Sequence, residues 1–225
     1  MTNIKTILFD LDGTLADTAP DLGRALNMQR ERHGLPPLPQ ETIRPFASHG
    51  SRGLLGIGFD LTPSDVEFAV MRDEYFDLYD EVFTQEPILF DGMGEVLEFL
   101  ESMDLQWGVV TNKPRRFTGR LMEALGLGAR AACIVSGDDA ERPKPYPDTL
   151  LLACELALCA PDSCLYVGDA ERDIIAGHAA GMRTVVARYG YLDEHDEPET
   201  WCAEFMIDAP QELLQRLGLR DSVVI

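Results

Sequence analysis

The chain is poor in positive charge: 19 Lys and Arg stand against 39 Asp and Glu, a formal net charge of −20 over 225 residues. A surface of that sign repels nucleic acid and anionic membranes, whose recognition depends on clustered basic side chains. Long apolar runs are missing too; none approaches the ~20 residues that span a bilayer. The first residues enter an apolar strand pattern without the basic-then-apolar order of a secretory signal, so a cytoplasmic location is expected. Cysteine is sparse and unpaired in pattern. Cys133, Cys154, Cys159, Cys164 and Cys202 form no CxxC pair. Their odd number and spacing argue against a disulfide framework and a zinc knuckle, and predict reduced, small core residues. Internal repeats and low-complexity segments are absent. The same surface charge would repel an anionic substrate unless the pocket is locally positive, which a bound divalent cation would supply.

What is present is an ordinary globular balance, 45% hydrophobic and 26% charged residues, long enough for one large domain or a medium domain with an insertion. Short apolar runs at residues 4–9, 107–110, 131–135, 164–167, 184–187 and 204–207 read as strands. Between them, helical patterns cover residues 94–103, 116–125, 148–158, 173–180 and 211–217, with Gly126 and Gly181 placed as helix C-caps. This alternation predicts an α/β fold, a doubly wound and mainly parallel sheet. Residues 17–86 break the rhythm. They read as helices at 20–33, 39–47 and 63–83, punctuated first by Pro36, Pro37 and Pro39 and then by Gly50, Gly53, Gly56 and Gly58. The expected organisation is a core of residues 1–16 and 87–225 with an all-helical cap, 17–86, inserted after the first strand. Gly56-Ile57-Gly58 is no dinucleotide fingerprint, because it follows no strand and lacks a third glycine. The acidic stretch at 192–199 reads as a solvated loop.

The richest segment is ILFDLDGTLADT, residues 7–18. Asp10 ends an apolar strand and Asp12 follows two residues later, so both carboxylates point to one side of an extended chain. Asp12-Gly13 would serve equally as a simple turn. In open parallel sheets, ligands bind beyond the carboxyl ends of the strands. Two more expected strands end in polar residues there: WGVV in Thr111-Asn112, and LYVG in Asp169. Asp169 is also placed to cap a helix beginning near Glu171, with Asp173 in its first turn. Lys144 lies among Pro143, Pro145 and Pro147, whose fixed φ stiffens the turn that presents it.

In this order, DLDGT, a strand ending in Thr-Asn, a lysine between prolines and GDxxxD, the chain resembles the haloacid dehalogenase superfamily of phosphatases. VVTNKP, KPYPDTLLLAC and the YGY at Tyr189 resemble phosphoglycolate-phosphatase-like members with a helical cap. FDGMGE, WGVVTNKP and GMRT…YGY are also similar to the bacterial N-acetylmuramic acid 6-phosphate phosphatases. The resemblance implies that Asp10 is the nucleophile, attacking phosphorus to give an aspartyl-phosphate. It implies that Asp12 is general acid and then base, and that Thr111 and Lys144 hold the transferring oxygens with help from Asn112. It further implies Mg²⁺ on Asp10, Asp169 and the backbone carbonyl of Asp12, with Asp173 orienting Lys144 or a metal-bound water. The expected substrate is a small phosphomonoester, phosphoglycolate-like, with N-acetylmuramic acid 6-phosphate as the alternative; both carry a carboxylate. A phosphosugar mutase of the β-phosphoglucomutase type is the reading from another reaction class. Capped relatives draw substrate contacts from the cap. The expected source here is an inter-helix loop at 48–53, where Gly50 admits close approach and His49, Ser51 and Arg52 offer polar groups. Arg115 and Arg116, cations at a helix start, read as solvated side chains or as partners of a substrate carboxylate. A monomer or weak dimer is expected.

Overall fold

The computed structural model describes residues 4–85 and 87–219; Glu86, at the end of the expected cap, and residues 1–3 and 220–225 of the expected core lie outside them. The six apolar runs form β1 (Thr6–Phe9), β2 (Gln106–Val110), β3 (Ile134–Val135), β4 (Cys164–Gly168), β5 (Arg183–Ala187) and β6 (Phe205–Ile207). They pair into one all-parallel sheet of order β3-β2-β1-β4-β5-β6. That order reverses direction between β1 and β4, the switch point at which doubly wound sheets open a crevice for ligands. Only two residues of the expected third strand are strand. It lies at the edge, where short strands resist further pairing.

Alternation along each strand feeds two layers. Ile7 and Phe9 of β1 and Leu165 and Val167 of β4 face one core, with Leu97 of α5 (Met93–Ser102) and Phe117 of α6 (Arg115–Ala124). Leu8 and Tyr166 face the other, with Leu150 of α7 (Asp148–Ala157) and Ala176 of α8 (Glu171–Ala179). A last helix, α9 (Glu212–Arg216), packs Leu213 and Leu214 on the first layer. Gly126 and Gly181 take positive φ just past α6 and α8, as expected of C-cap glycines. Among the described residues no helix is long and apolar enough to cross a membrane.

Between β1 and α5 the described chain is helical: α1 (Ala19–Arg32), α2 (Gln40–Ile43) running into a 3₁₀ turn at Arg44–His49, α3 (Gly50–Phe59) and α4 (Phe68–Val82). α1 buries Leu22, Ala25, Leu26 and Gln29 on one stripe, against Tyr75, Leu78 and Tyr79 of α4. α4 starts five residues later than expected, because Asp65 accepts hydrogen bonds from the Thr62 amide and hydroxyl and holds 62–65 as a turn. The chain enters and leaves this helical segment through two adjacent lengths of backbone. Ala16 bridges Leu89 antiparallel, Asp17 N–H donates to the Ile88 carbonyl at 3.0 Å, and Phe90 N–H donates to the Leu15 carbonyl at 3.2 Å.

Two expectations are corrected here. Residues 48–53 are not an inter-helix loop; they end the 3₁₀ turn and begin α3, with Gly50 at φ +58° as the joint. Two of the run's glycines, Gly53 and Gly58, are close-packed. A Cβ on Gly53 would sit 2.5 Å from His49 Cβ and 2.8 Å from the Phe46 carbonyl oxygen, and one on Gly58 would sit 2.6 Å from Leu26 Cδ1. Gly53→Ala is therefore expected to destabilise by roughly 1–2 kcal/mol, because overpacking outweighs alanine's helix propensity. Gly119→Ala on α6, where nothing lies within 4 Å, is expected to be neutral or stabilising. Urea unfolding of the two variants checks the difference. The cysteines are all free, but not all are core residues: Cys133, Cys154 and Cys164 are buried, Cys159 is partly exposed and Cys202 is exposed.

Candidate active site

β1 and β4 are hydrogen-bonded neighbours, and the residues that follow them, Asp10 and Asp169, meet at the rim with Asp173 from the first turn of α8. Carboxylate oxygens of the three lie within 4.8 Å of one another. The Lys144 ammonium closes the group, 3.0 Å from Asp10 Oδ1 and 2.7 Å from Asp173 Oδ1, with both ion pairs essentially buried. It also donates to the Tyr166 hydroxyl at 2.7 Å, and that hydroxyl donates to the Val110 carbonyl. The proline-flanked turn thus does aim its lysine at the strand ends. Asn112 fixes that turn: its amide nitrogen donates to the Lys144 carbonyl and its amide oxygen accepts from the Lys144 N–H, both at 2.9 Å. Asn112 lines the same cavity as Lys144, but both ends of its amide hold Lys144.

Asp169 does not cap α8. Ala170 occupies that position, and Asp173 Oδ2 accepts from the Ala170 N–H at 3.0 Å. Asp169 Oδ2 accepts from the Ser48 hydroxyl at 2.7 Å and from the Tyr191 N–H at 2.9 Å. Its Oδ1 is buried with no hydrogen-bond partner among the described residues. Burial, and then the neighbouring charges of Asp10 and Asp173, push the Asp169 carboxyl up to about 7. Burial likewise raises Asp10, against the attraction of Lys144. An orphaned carboxylate oxygen inside an all-oxygen cluster of excess negative charge fits a hard divalent cation. Gly13 makes room for the cluster. Its φ is +87°, and a Cβ there would lie 2.0 Å from Asp169 Oδ2.

Asp12 faces the cavity rather than merely closing a turn. Its Oδ1 accepts from the Thr18 hydroxyl at 2.6 Å and pairs with the Lys113 ammonium at 2.9 Å. Lys113 also donates to the Tyr79 hydroxyl of α4 at 2.9 Å, tying the sheet rim to the helical segment. Thr111 is buried, with its hydroxyl accepting from the Lys113 N–H. The cavity measures about 980 Å³ and lies between the sheet rim and the helices. Asp10, Asp12, Thr111 and Lys144 line it on the rim side; His49, Gly50, Ser51 and Arg52 line it on the helical side.

Arg115 and Arg116 do not line this cavity. Arg115 bonds Asp139 at 2.6 Å, and Arg116 bonds Asp77 and Asp80 of α4 on the exterior. Burial alone would raise Asp80; the hydrogen bonds from Arg116 and Arg120 outweigh it and hold that carboxyl below the usual range.

Four residues at the site had no role in the sequence reading. Lys113 and Arg172 bring two cations, Arg172 lining the cavity and donating to the Ser48 carbonyl at 2.7 Å. Both sit inside motifs, in VVTNKP and in GDxxxD, so their signal was adjacency to residues already singled out. Ser48 reaches Asp169 from the helical side. Tyr191 accepts the Thr18 and Ala19 N–H groups at 2.7 and 2.9 Å and donates to Asp17 Oδ1 at 2.8 Å.

Residues 7–187 match the family model of the haloacid dehalogenase-like hydrolases. The chain belongs to that family. Similar curated proteins are phosphatases of it. An N-acetylmuramic acid 6-phosphate phosphatase of Pseudomonas aeruginosa is 40% identical over 214 residues, 95% of each chain. A phosphoglycolate phosphatase of Xanthomonas campestris is 37% identical over 209 residues, 93% of this chain and 94% of that one. The fold agrees with the crystal structure of a predicted phosphoglycolate phosphatase from Haemophilus somnus, at TM-score 0.83 and 26% identity, covering 96% of this chain and 99% of the other. This haloacid dehalogenase-like hydrolase is thus a phosphatase with its acidic cluster at the sheet's switch point.

Proposed function

We propose that the chain hydrolyses a small organic phosphomonoester through an aspartyl-phosphate on Asp10, with Mg²⁺ held by Asp10, Asp169 and the backbone carbonyl of Asp12. The observation that carries this reading is the buried Asp10–Lys144–Asp173 arrangement beside the orphaned Asp169 oxygen, at the floor of a cavity. An Asp10 oxygen attacks phosphorus and the ester P–O bond breaks. Asp12, held by Thr18 and Lys113, gives a proton to the departing alkoxide. It then takes one from the water that attacks the aspartyl-phosphate, releasing inorganic phosphate and restoring the carboxylate. Thr111 and Lys144 steady the phosphoryl oxygens. When bound, Mg²⁺ neutralises charge between carboxylates and phosphate and polarises the phosphoryl group. The helical segment 17–86 acts as the cap that covers the reaction.

Excess EDTA is expected to reduce phosphate release to background and added Mg²⁺ to restore it; full turnover in the chelator would overturn the metal assignment. For the substrate, the leading reading is a carboxylated, phosphoglycolate-like phosphomonoester. A second reading, N-acetylmuramic acid 6-phosphate, is favoured by the size of the cavity and by the Pseudomonas relative. A phosphate-release screen with Mg²⁺ separates them by the ratio of kcat/KM for the two compounds. Isomer formation from a hexose 1-phosphate without phosphate release would favour a mutase over both.

A further inference from the structure

A second cluster of ligating side chains lies at the amino-terminal end of β4, opposite the end that leads to Asp169. Cys154 is in the last turns of α7, Cys159 follows that helix, and Cys164 opens β4. Their sulfurs gather in one place, Cys159 Sγ to Cys164 Sγ at 3.2 Å and Cys154 Sγ to Cys164 Sγ at 3.8 Å, all three within 4.8 Å of one another. We propose that Cys154, Cys159 and Cys164 form a three-thiolate site for a soft d¹⁰ cation of the copper(I) class.

The geometry suits such an ion. Three sulfurs each about 2.3 Å from a common centre in a trigonal plane stand about 4.0 Å apart. The distances of 3.2 and 3.8 Å fall just short of that value, so an ion enters with sub-ångström widening of the group. The group contains no imidazole or carboxylate, which selects a soft cation over the hard one suited to the aspartate cluster. Its walls are apolar: Leu150, Ala153 and Ala157 of α7 pack in the same layer. Cys154 and Cys164 are buried, whereas Cys159 is partly exposed and provides the entry path. Binding displaces a thiol proton to solvent for each thiolate formed, and no electron is transferred. Three mutually adjacent thiols are more than a disulfide needs, and the loop after α7 is what brings the middle one in. Cys164 and Asp169 bracket β4, roughly 16 Å apart along the strand at its usual rise. The soft site is thus separate from the phosphoryl chemistry.

The test uses the full-length, fully reduced protein under anaerobic conditions, titrated with Cu(I) held in a bicinchoninate buffer. Wild type is expected to take one Cu(I) per chain and to show thiolate-to-copper charge-transfer absorption in the ultraviolet. Cys159→Ser and Cys154→Ser are each expected to weaken uptake roughly tenfold or more. Cys202→Ser, at an exposed thiol remote in sequence from the cluster, is expected to leave it unchanged. Cys159→Ser is the decisive variant because that side chain is partly exposed and its loss spares the core; circular dichroism confirms its fold. No uptake by wild type, equal uptake by Cys159→Ser, or loss of uptake on Cys202→Ser alone would overturn the site. So would a Cys159–Cys164 disulfide that persists in excess thiol reductant, which would make the cluster a redox pair instead.

Discussion

Asp10→Asn is expected to lower turnover by roughly 10⁴-fold or more while leaving the protein folded. An amide oxygen in place of the carboxylate still accepts from the Leu11 N–H, which bonds Asp10 Oδ1 at 2.7 Å in the native chain. It is a poor nucleophile, so no acyl phosphate forms. The effect on stability has the opposite sign. Burial and the charge of Asp173 both raise Asp10 above the ordinary carboxylate range, which means that its ionised form is held against a cost. Removing that charge relieves the cluster, and Lys144 keeps Asp173 as its nearer partner. Unfolding in chelator is therefore expected at or above the wild-type urea midpoint. Near-normal phosphate release by a folded Asp10→Asn protein would eliminate Asp10 as nucleophile.

Lys144→Met should damage both activity and fold. Methionine matches the length of lysine but offers no donor. Asp10 and Asp173 would lose contacts at 3.0 and 2.7 Å at a buried position. Leaving buried carboxylates without their cation typically costs about 3–5 kcal/mol. Loss of one preorganised donor to the transferring oxygens lowers kcat by roughly 10²–10³-fold. The two effects separate in the double variant Lys144→Met/Asp173→Asn. Neutralising Asp173 is expected to return part of the stability but none of the activity. A double variant no more stable than Lys144→Met would show that the ion pair is not what the fold loses.

The catalytic rim was legible because its residues sit at strand ends, where an apolar run stops abruptly at Asp10, Thr111 or Asp169, and because a lysine among three prolines is an uncommon local pattern. The apolar runs likewise carry the sheet, since the central strands β1 and β4 are buried on both faces and read as nearly continuous hydrophobicity. What was not legible depends on partners distant in sequence. Gly50, Gly53, Gly56 and Gly58 read as loop punctuation because local propensity disfavours glycine in helices. Only the presence of His49, Phe46 and Leu26 within a Cβ's reach shows that α3 needs small residues at Gly53 and Gly58. Arg115 and Arg116 looked anomalous at a helix start until Asp77, Asp80 and Asp139 were placed beside them. Ser48 reaches Asp169 across 121 residues, and the three cysteines converge through a helix end, a loop and a strand start, a path with no fixed spacing signature.

The two lengths of backbone that join helices to sheet are hydrogen-bonded to each other at Asp17–Ile88 and Phe90–Leu15, and the phenol of Tyr191 grips the first of them through two amides and a carboxylate. Neither crossing can shift without carrying or breaking the bonds it shares with the other, so entrance and exit of the helices form one attachment rather than two.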